Sequence, residues 1–483
     1  MRKLILNQSM VIVAAAVLFL SSVTGEEPRP AARAVVEQSL LDAFENSLRD
    51  GLLTPYYPVA VDDAMYGGFV EDRNATWEWQ FGWYSDKWVV AQARYTWTAA
   101  KAALRYAADP AMANLYMDSA AAGFEFLQRM WGFDYGGGKI GMALVVDRDG
   151  SSPRVGNKGT YLVYGNAHAL YAVAAYYTAS GESDALDLAV QVYDFLNDYL
   201  YDTSNGGYYI NLTDMRKDTN VNLHVLEALI EFYQALPEMH NLRPEVASRI
   251  GELINCFGEK AIHCEGESAT DCFAYPVMDR NWTSNSNTVS FGHDAEMAFL
   301  MVEAMEALGQ DPLASPYMVK IRRVVDFTFS HAGYRSDGAL YYTGTYDNGN
   351  VTIIDSQLQW WPQAEGLSAV CLMRKLFPND PFYEGMIALT WSFIDSHVID
   401  HTNHGWVRQA DGWGLDKASE WHANYHHGRA LINCLDWLSN PCEGDGESDG
   451  DNDGVDLSRV VAHGGVDIDI FAEDFGRVDC PTF

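Results

Sequence analysis

A short glycine–aromatic turn returns along this chain at a nearly constant interval. It reads YGGF at 66–69, YGGG at 135–138, NGGYY at 205–209, DGALYY at 337–342 and HGW at 404–406. The turns lie about 70 residues apart, with one step close to two periods, so the pattern is a sixfold array of units far longer than solenoid repeats. One unit, around Phe273 to Trp282, has lost its glycine pair. Glycine suits a tight turn with positive φ, and the aromatic residue after it can cover a core.

Between the turns, apolar residues recur at spacings of three and four, the signature of helix. Twelve such segments begin near Ala34, Asp86, Ala113, Thr160, Ser183, Asn220, Glu245, Ser290, Pro316, Ser356, Phe382 and Trp421. Segments such as ALYAVAAYY (169–177) and AEMAFLMVEAMEAL (295–308) are apolar around most of their circumference, which predicts burial on more than one side. Twelve helices in six hairpins predict an all-α chain folded as an (α/α)6 barrel over 26–440, with six inner and six outer helices. An open α-solenoid is the alternative; the long period favours closure. Loops at one rim would then carry chemistry.

The ends read differently. Arg2 and Lys3, an apolar run from Met10 to Leu20 and small or polar residues to Gly25 predict a signal peptide over 1–25, and hence a secreted or periplasmic protein. An uncleaved anchor is the alternative. No later segment has membrane-span length without charge, so no membrane association is expected after cleavage. The net charge of −34 argues against nucleic acid and anionic surfaces as partners. Residues 441–483 form an Asp- and Gly-rich tail. Asp449, Asp451, Asp453 and Gly454 fit half of a calcium loop, and a frame starting at Asp445 with Glu447, Asp449, Gly450 and Asp456 fits better. The tail is similar to a degenerate dockerin that would hold Ca2+ and dock to another protein; a disordered acidic tail is the alternative. Among seven cysteines, Cys264 and Cys272 flank a polar loop and could pair, Cys442 and Cys480 are a second candidate pair, and Cys371 and Cys434 read as buried thiols.

Three histidines open helical segments with a charged residue three positions on: His224 with Glu227, His293 with Glu296 and His426 with Arg429. Three residues is nearly one turn, so each pair shares a face. Imidazole can take and give a proton near neutral pH, so several converging on one pocket could move protons without a cofactor. A divalent metal held by these His and Glu residues is a competing reading. Trp360 and Trp361 in QWWPQAEG, and Trp421 just before His426, supply faces on which a sugar ring can stack. A glycosidase would instead need two opposed carboxylates. Asp62, Asp63, Asp294 and Glu365 are available but form no comparable constellation.

Several of these segments, in order, resemble the N-acylglucosamine 2-epimerase superfamily, and within it the cellobiose/mannobiose 2-epimerases. They are DKWVVAQARYTWTAA (86–100), YGNAHALYAVAAYY (164–177), KDTNVNLHVLEA (217–228), SFGHDAEMAFLM (290–301), QWWPQAEG (359–366) and WHANYHHGRA (421–430). The resemblance implies a cofactor-independent 2-epimerase that acts on the reducing-end glucose or mannose of a β-1,4 disaccharide or oligosaccharide. A cis-enediolate would form after loss of the C2 proton. His293 and His426 match the acid/base pair, His224 a support for the oxygen-bearing edge, and Arg94 a holder of enediolate charge. Glu296 would orient His293. Tyr164, Asn220, Trp360, Trp361 and Trp421 match sugar contacts. An aldose–ketose isomerase, an (α/α)6 hydrolase and a sugar-binding protein without catalysis are the alternatives. The chain departs from the family pattern at Leu358, Gln359, Phe299, His168, Asn424 and His427, and none of these removes a proton-transfer residue.

Overall fold

The computed structural model describes residues 30–439, except 63–64, 80–85, 155–160, 266–269, 332 and 413. The predicted signal peptide, the tail with Asp445, Asp449, Asp451 and Asp453, and the Cys442–Cys480 pair lie outside the described residues. No described helix is long and apolar enough to cross a membrane.

Twelve helices of 13 residues or more alternate between two environments. The inner set is α2 (Val89–Arg105), α4 (Leu162–Ser180), α6 (Thr219–Ala235), α8 (Phe291–Ala307), α10 (Trp360–Leu376) and α12 (Tyr425–Ser439). These are buried nearly all round. The outer set is α1 (Pro30–Asn46), α3 (Pro110–Met130), α5 (Ser183–Tyr199), α7 (Arg243–Cys256), α9 (Met318–Ser330) and α11 (Pro381–Phe393). Helices α3, α5, α7, α9 and α11 bury one stripe, as amphipathic helices on a barrel surface must. Each inner helix packs on the next and α12 packs back on α2, so the ring is closed. Five inner–outer pairs are sequence neighbours. The sixth joins α12 to α1, the last helix to the first.

Local sequence sets the helix ends. Asp109 caps α3 by accepting from the Ala111 and Met112 amides, with Pro110 in the first turn. Asp218 caps α6 and Asp380 caps α11 in the same way. Gly181, at φ 71°, ends α4 in the left-handed conformation.

The recurring turns have a physical role. The fourth or fifth residue of an inner helix carries a buried amide or acid that clamps the backbone just after the turn. Gln92 Oε1 accepts from Phe69 N at 2.8 Å, and its Nε2 donates to Phe69 O at 2.9 Å. Asn222 does the same for Tyr208, and Gln363 for Leu340. Asn166 accepts from Met142 N and Asp294 from Ala274 N. In the sixth unit Trp406 instead stacks on His427, with centroids 5.1 Å apart. Glycine is required where the clamp closes: a Cβ on Gly207 would lie 2.3 Å from the Trp282 ring, and φ there is 66°. Asp294, a candidate hydrolytic acid by sequence, is thus a wholly buried structural residue; burial raises its pKa well above the ordinary range.

The all-α expectation needs one correction. Eleven short strands occur among the described residues, in small antiparallel sheets. Thr288–Ser290, directly before α8, joins Thr343–Asp347 and Asn350–Asp355, which precede α10, in the only three-stranded sheet described. Cys264 and Cys272 are joined by a disulfide across another hairpin. Cys256, Cys371 and Cys434 are buried free thiols.

Candidate active site

All six inner helices bring their N-terminal ends to one rim, around a cavity of about 650 Å3. That volume lies within the range of small-molecule sites. Each inner helix contributes from its first two turns or the residue just before it: Arg94 from α2, Tyr164 from α4, Asn220 and His224 from α6, His293 and Glu296 from α8, Gln359, Trp360 and Trp361 from α10, and His426 from α12. Every sugar-site and catalytic residue expected from the sequence therefore lines one space, together with Trp421. Six helix N-termini at one rim favour negative charge there.

Each of the three histidines is tied through Nδ1. His426 Nδ1 lies 2.5 Å from Glu365 Oε1, His224 Nδ1 lies 3.0 Å from Glu227 Oε2, and His293 Nδ1 lies 2.7 Å from Ser290 Oγ. In each case Nε2 is the nitrogen left for the cavity, the usual way a histidine's tautomer is fixed. The indole of Trp361 touches both outer members of this set: its centroid is 4.7 Å from His293 and 5.7 Å from His426.

Behind the histidines Arg429 gathers three carboxylates. It donates to Glu227, to Glu296 Oε1 at 2.6 Å, and lies 2.8 Å from Glu365 Oε2. Tyr425 also donates to Glu227. This changes two pairings expected from the sequence. Glu296 is bound by Arg429, and its Oε1 lies 4.0 Å from His224 Nε2; it makes no hydrogen bond to His293, which Ser290 orients. His426 is held by Glu365 rather than by Arg429, the residue three positions on. Glu296, Glu365 and His426 offer ligand atoms within 4.8 Å of one another. The guanidinium already stands against both carboxylates, so these residues do not fit a divalent cation.

Burial dominates the proton affinities. It lowers His224 to about 3, against the pull of Glu296. It lowers His293, opposed by Glu296 and Asp218, and lowers His426 well below 6.5, reinforced by Arg94 and Arg429. Burial pushes Glu365 well above its ordinary value, opposed by Arg429. Arg429, 2.8 Å from Glu365 Oε2, supports the carboxylate against that burial; a carboxylate there accepts from His426 Nδ1–H and leaves Nε2 of the neutral ring as a base.

Arg94 donates to Tyr164 OH at 2.8 Å and to Trp421 O at 2.8 Å. Burial raises the Tyr164 phenol to about 12, opposed by Arg94, so it stays a hydrogen-bond donor. Asn220 Oδ1 is buried without a partner among the described residues, an acceptor aimed at a ligand. Trp421 packs on Tyr161 and Trp88, and Tyr342 meets Trp361 edge-on. Trp360 lines the cavity, while its ring packs on His422 at 4.3 Å.

The sequence reading did not place Ser290, Tyr161 or Tyr342, nor the loop residues Asp72, Arg408, Asp416 and Glu420 that also line the cavity. It named Glu365 without its role. One signal was present: Glu296 and Glu365 lie one repeat apart, each the sixth residue of its helix, which puts two carboxylates at one depth of neighbouring inner helices.

The barrel and its cavity of tied histidines, carboxylates and tryptophans define a carbohydrate isomerase of the epimerase class. The chain belongs to the N-acylglucosamine 2-epimerase (GlcNAc 2-epimerase) family, whose model matches residues 83–430. A cellobiose 2-epimerase of Bacteroides fragilis is 28% identical over 294 residues, covering 56% of this chain and 71% of that protein. The solved cellobiose 2-epimerase of Spirochaeta thermophila superposes with a TM-score of 0.69 at 26% identity, covering 85% of this chain and 99% of the other. A D-mannose isomerase of Marinomonas mediterranea is 24% identical over 234 residues, covering 45% of this chain and 56% of that protein.

Proposed function

We propose that the protein epimerises C2 of the reducing-end glucose or mannose of a β-1,4-linked disaccharide or oligosaccharide. The observation that carries this reading is the pair of Nδ1-tied imidazoles, His293 and His426, facing one cavity around Trp361. The opened aldose lies between them. One Nε2 takes the C2 proton, and the electron pair moves towards the carbonyl oxygen to give a cis-enediolate. The other imidazole, entering as the cation, returns a proton to the opposite face. The two histidines have then exchanged charge states, and the reverse turnover or exchange with solvent resets them. Arg94 and His224 stand by the oxygens, where negative charge develops in the transition state. Trp361 and Trp421 carry the ring faces, and Asn220 and Tyr164 the hydroxyls. No cofactor enters these steps.

The experiment is incubation with cellobiose, mannobiose, glucose and mannose in heavy water, followed by proton NMR. Epimerisation gives the C2 epimer carrying deuterium at C2. A ketose product would replace this reading with aldose–ketose isomerisation, which uses the same enediolate and which the likeness to a D-mannose isomerase supports. Monosaccharides released from disaccharides would mean hydrolysis.

The leader and the Cys264–Cys272 disulfide support a secreted or periplasmic location. For the tail we retain calcium binding and docking to another protein, on its Asp and Gly pattern alone. Calorimetric titration of the full chain with Ca2+ tests the first.

A further inference from the structure

The cavity has a second wall that the proposed proton transfers leave unused. Two loops build it, joined by an antiparallel bridge in which Arg73 N donates to Ala418 O and Lys417 N to Arg73 O. Asp72, Asp416 and Glu420 line the cavity from these loops. Asp72 is only 8% exposed, and its carboxylate has no hydrogen bond or ion pair among the described residues. Two guanidiniums share this wall with the three carboxylates, and neither bonds to Asp72. Arg408 Nε lies 3.0 Å from Asp416 Oδ2, and Arg73 donates to Val59 O at 2.6 Å and Trp77 O at 3.2 Å. Burial, then Glu420 and Asp416, raises Asp72 to about 7.

A buried carboxyl without a partner is costly, and a ligand that satisfies it offsets that cost. Asn220 adds a buried, unpartnered acceptor to the same cavity. The loop wall therefore offers acceptors and one more carboxylate than guanidinium.

Resting on the epimerase reading, we propose that this wall receives the sugar unit next to the reacting one and selects it by charge. Asp72 and Glu420 favour a cationic amino sugar there and reject an anionic uronic acid.

The test uses three disaccharides with the same reducing glucose, whose outer unit is glucosamine, glucose or glucuronic acid, β-1,4-linked. Deuterium uptake at C2 gives kcat/KM for each with the full chain. The expected order is amino, neutral, uronic, with at least about tenfold between the extremes. Asp72→Asn and Glu420→Gln should each shrink that ratio. Glu420 is half-exposed, so its variant serves if the Asp72 change impairs folding. Uronic and neutral substrates turned over equally, or a ratio unchanged in both variants, would overturn the proposal. If no sugar exchanges deuterium, the epimerase reading fails, and binding of the three disaccharides by calorimetry reports on the wall: the same order supports it, and equal affinities refute it.

Discussion

Glu365 on α10 holds His426 on α12 through Nδ1, with 2.5 Å between the heavy atoms. The two residues come from neighbouring inner helices. A carboxylate in that position fixes the ring and supports positive charge when Nε2 takes a proton. Glu365→Gln keeps the size and a hydrogen bond but cannot supply the charge. It should lower kcat by about tenfold to a hundredfold with little change in KM. Wild-type kcat in this variant would remove Glu365 from the mechanism.

His293→Ala and His426→Ala should each lower epimerisation by at least about a hundredfold, the lower range for a positioned acid or base. Deuterium uptake at C2 measures it. Either variant turning over at near-normal rate would take that residue out of the proton path.

Chelator should leave turnover intact, because Arg429 stands against the carboxylates a divalent ion would need. Activity lost on dialysis against a chelator and restored by one particular metal would refute this.

Stability should peak in mildly acidic solution. His224 and His427 are lowered by burial to about 3, from 6.5. Below 6.5 the unfolded chain takes up protons that the folded chain refuses. Stability falls with pH across that window by up to about 1.4 kcal/mol per pH unit for each. Glu303 is raised to about 8 by burial, from 4.5. It keeps a proton that the unfolded chain loses above 4.5, so its contribution is lost as pH rises towards 8. Between 4.5 and 6.5 the two histidines outweigh Glu303, and above 6.5 only Glu303 acts, so the maximum should lie near 6.5. Urea unfolding across pH checks it. His427→Phe, which keeps the ring against Trp406, should flatten the acid limb; an unchanged slope would show that His427 does not set it.

Gln363→Ala should destabilise the fold by about 2–3 kcal/mol, since it strips both partners from the buried amide and carbonyl of Leu340. Thermal unfolding reads it. A Tm equal to wild type would mean that the clamp is dispensable.

The twelve helices were legible because spacing of three and four survives in every unit, and the repeat of the turns pointed to closure. The pairing of α1 with α12 was not, because nothing local marks a contact between the first and last helices. At the site, His224–Glu227 was readable as two residues on one face, and the structure bonds them. His293–Glu296 has the same spacing one repeat on, yet Arg429 from across the ring claims Glu296 and Ser290 claims His293. Spacing shows which side chains can meet; the strongest partner in three dimensions decides which do. The loop wall escaped because irregular segments carry no period to read.

The seam between α1 and α12 governs how the chain can be made. During synthesis the first stave leaves the ribosome with no mate, and the stave bearing His426 emerges last. A partly translated chain therefore lacks one of the two imidazoles, and its opening helix waits with a greasy flank uncovered. The ring can close only after α12 has been made and has met α1 and α2.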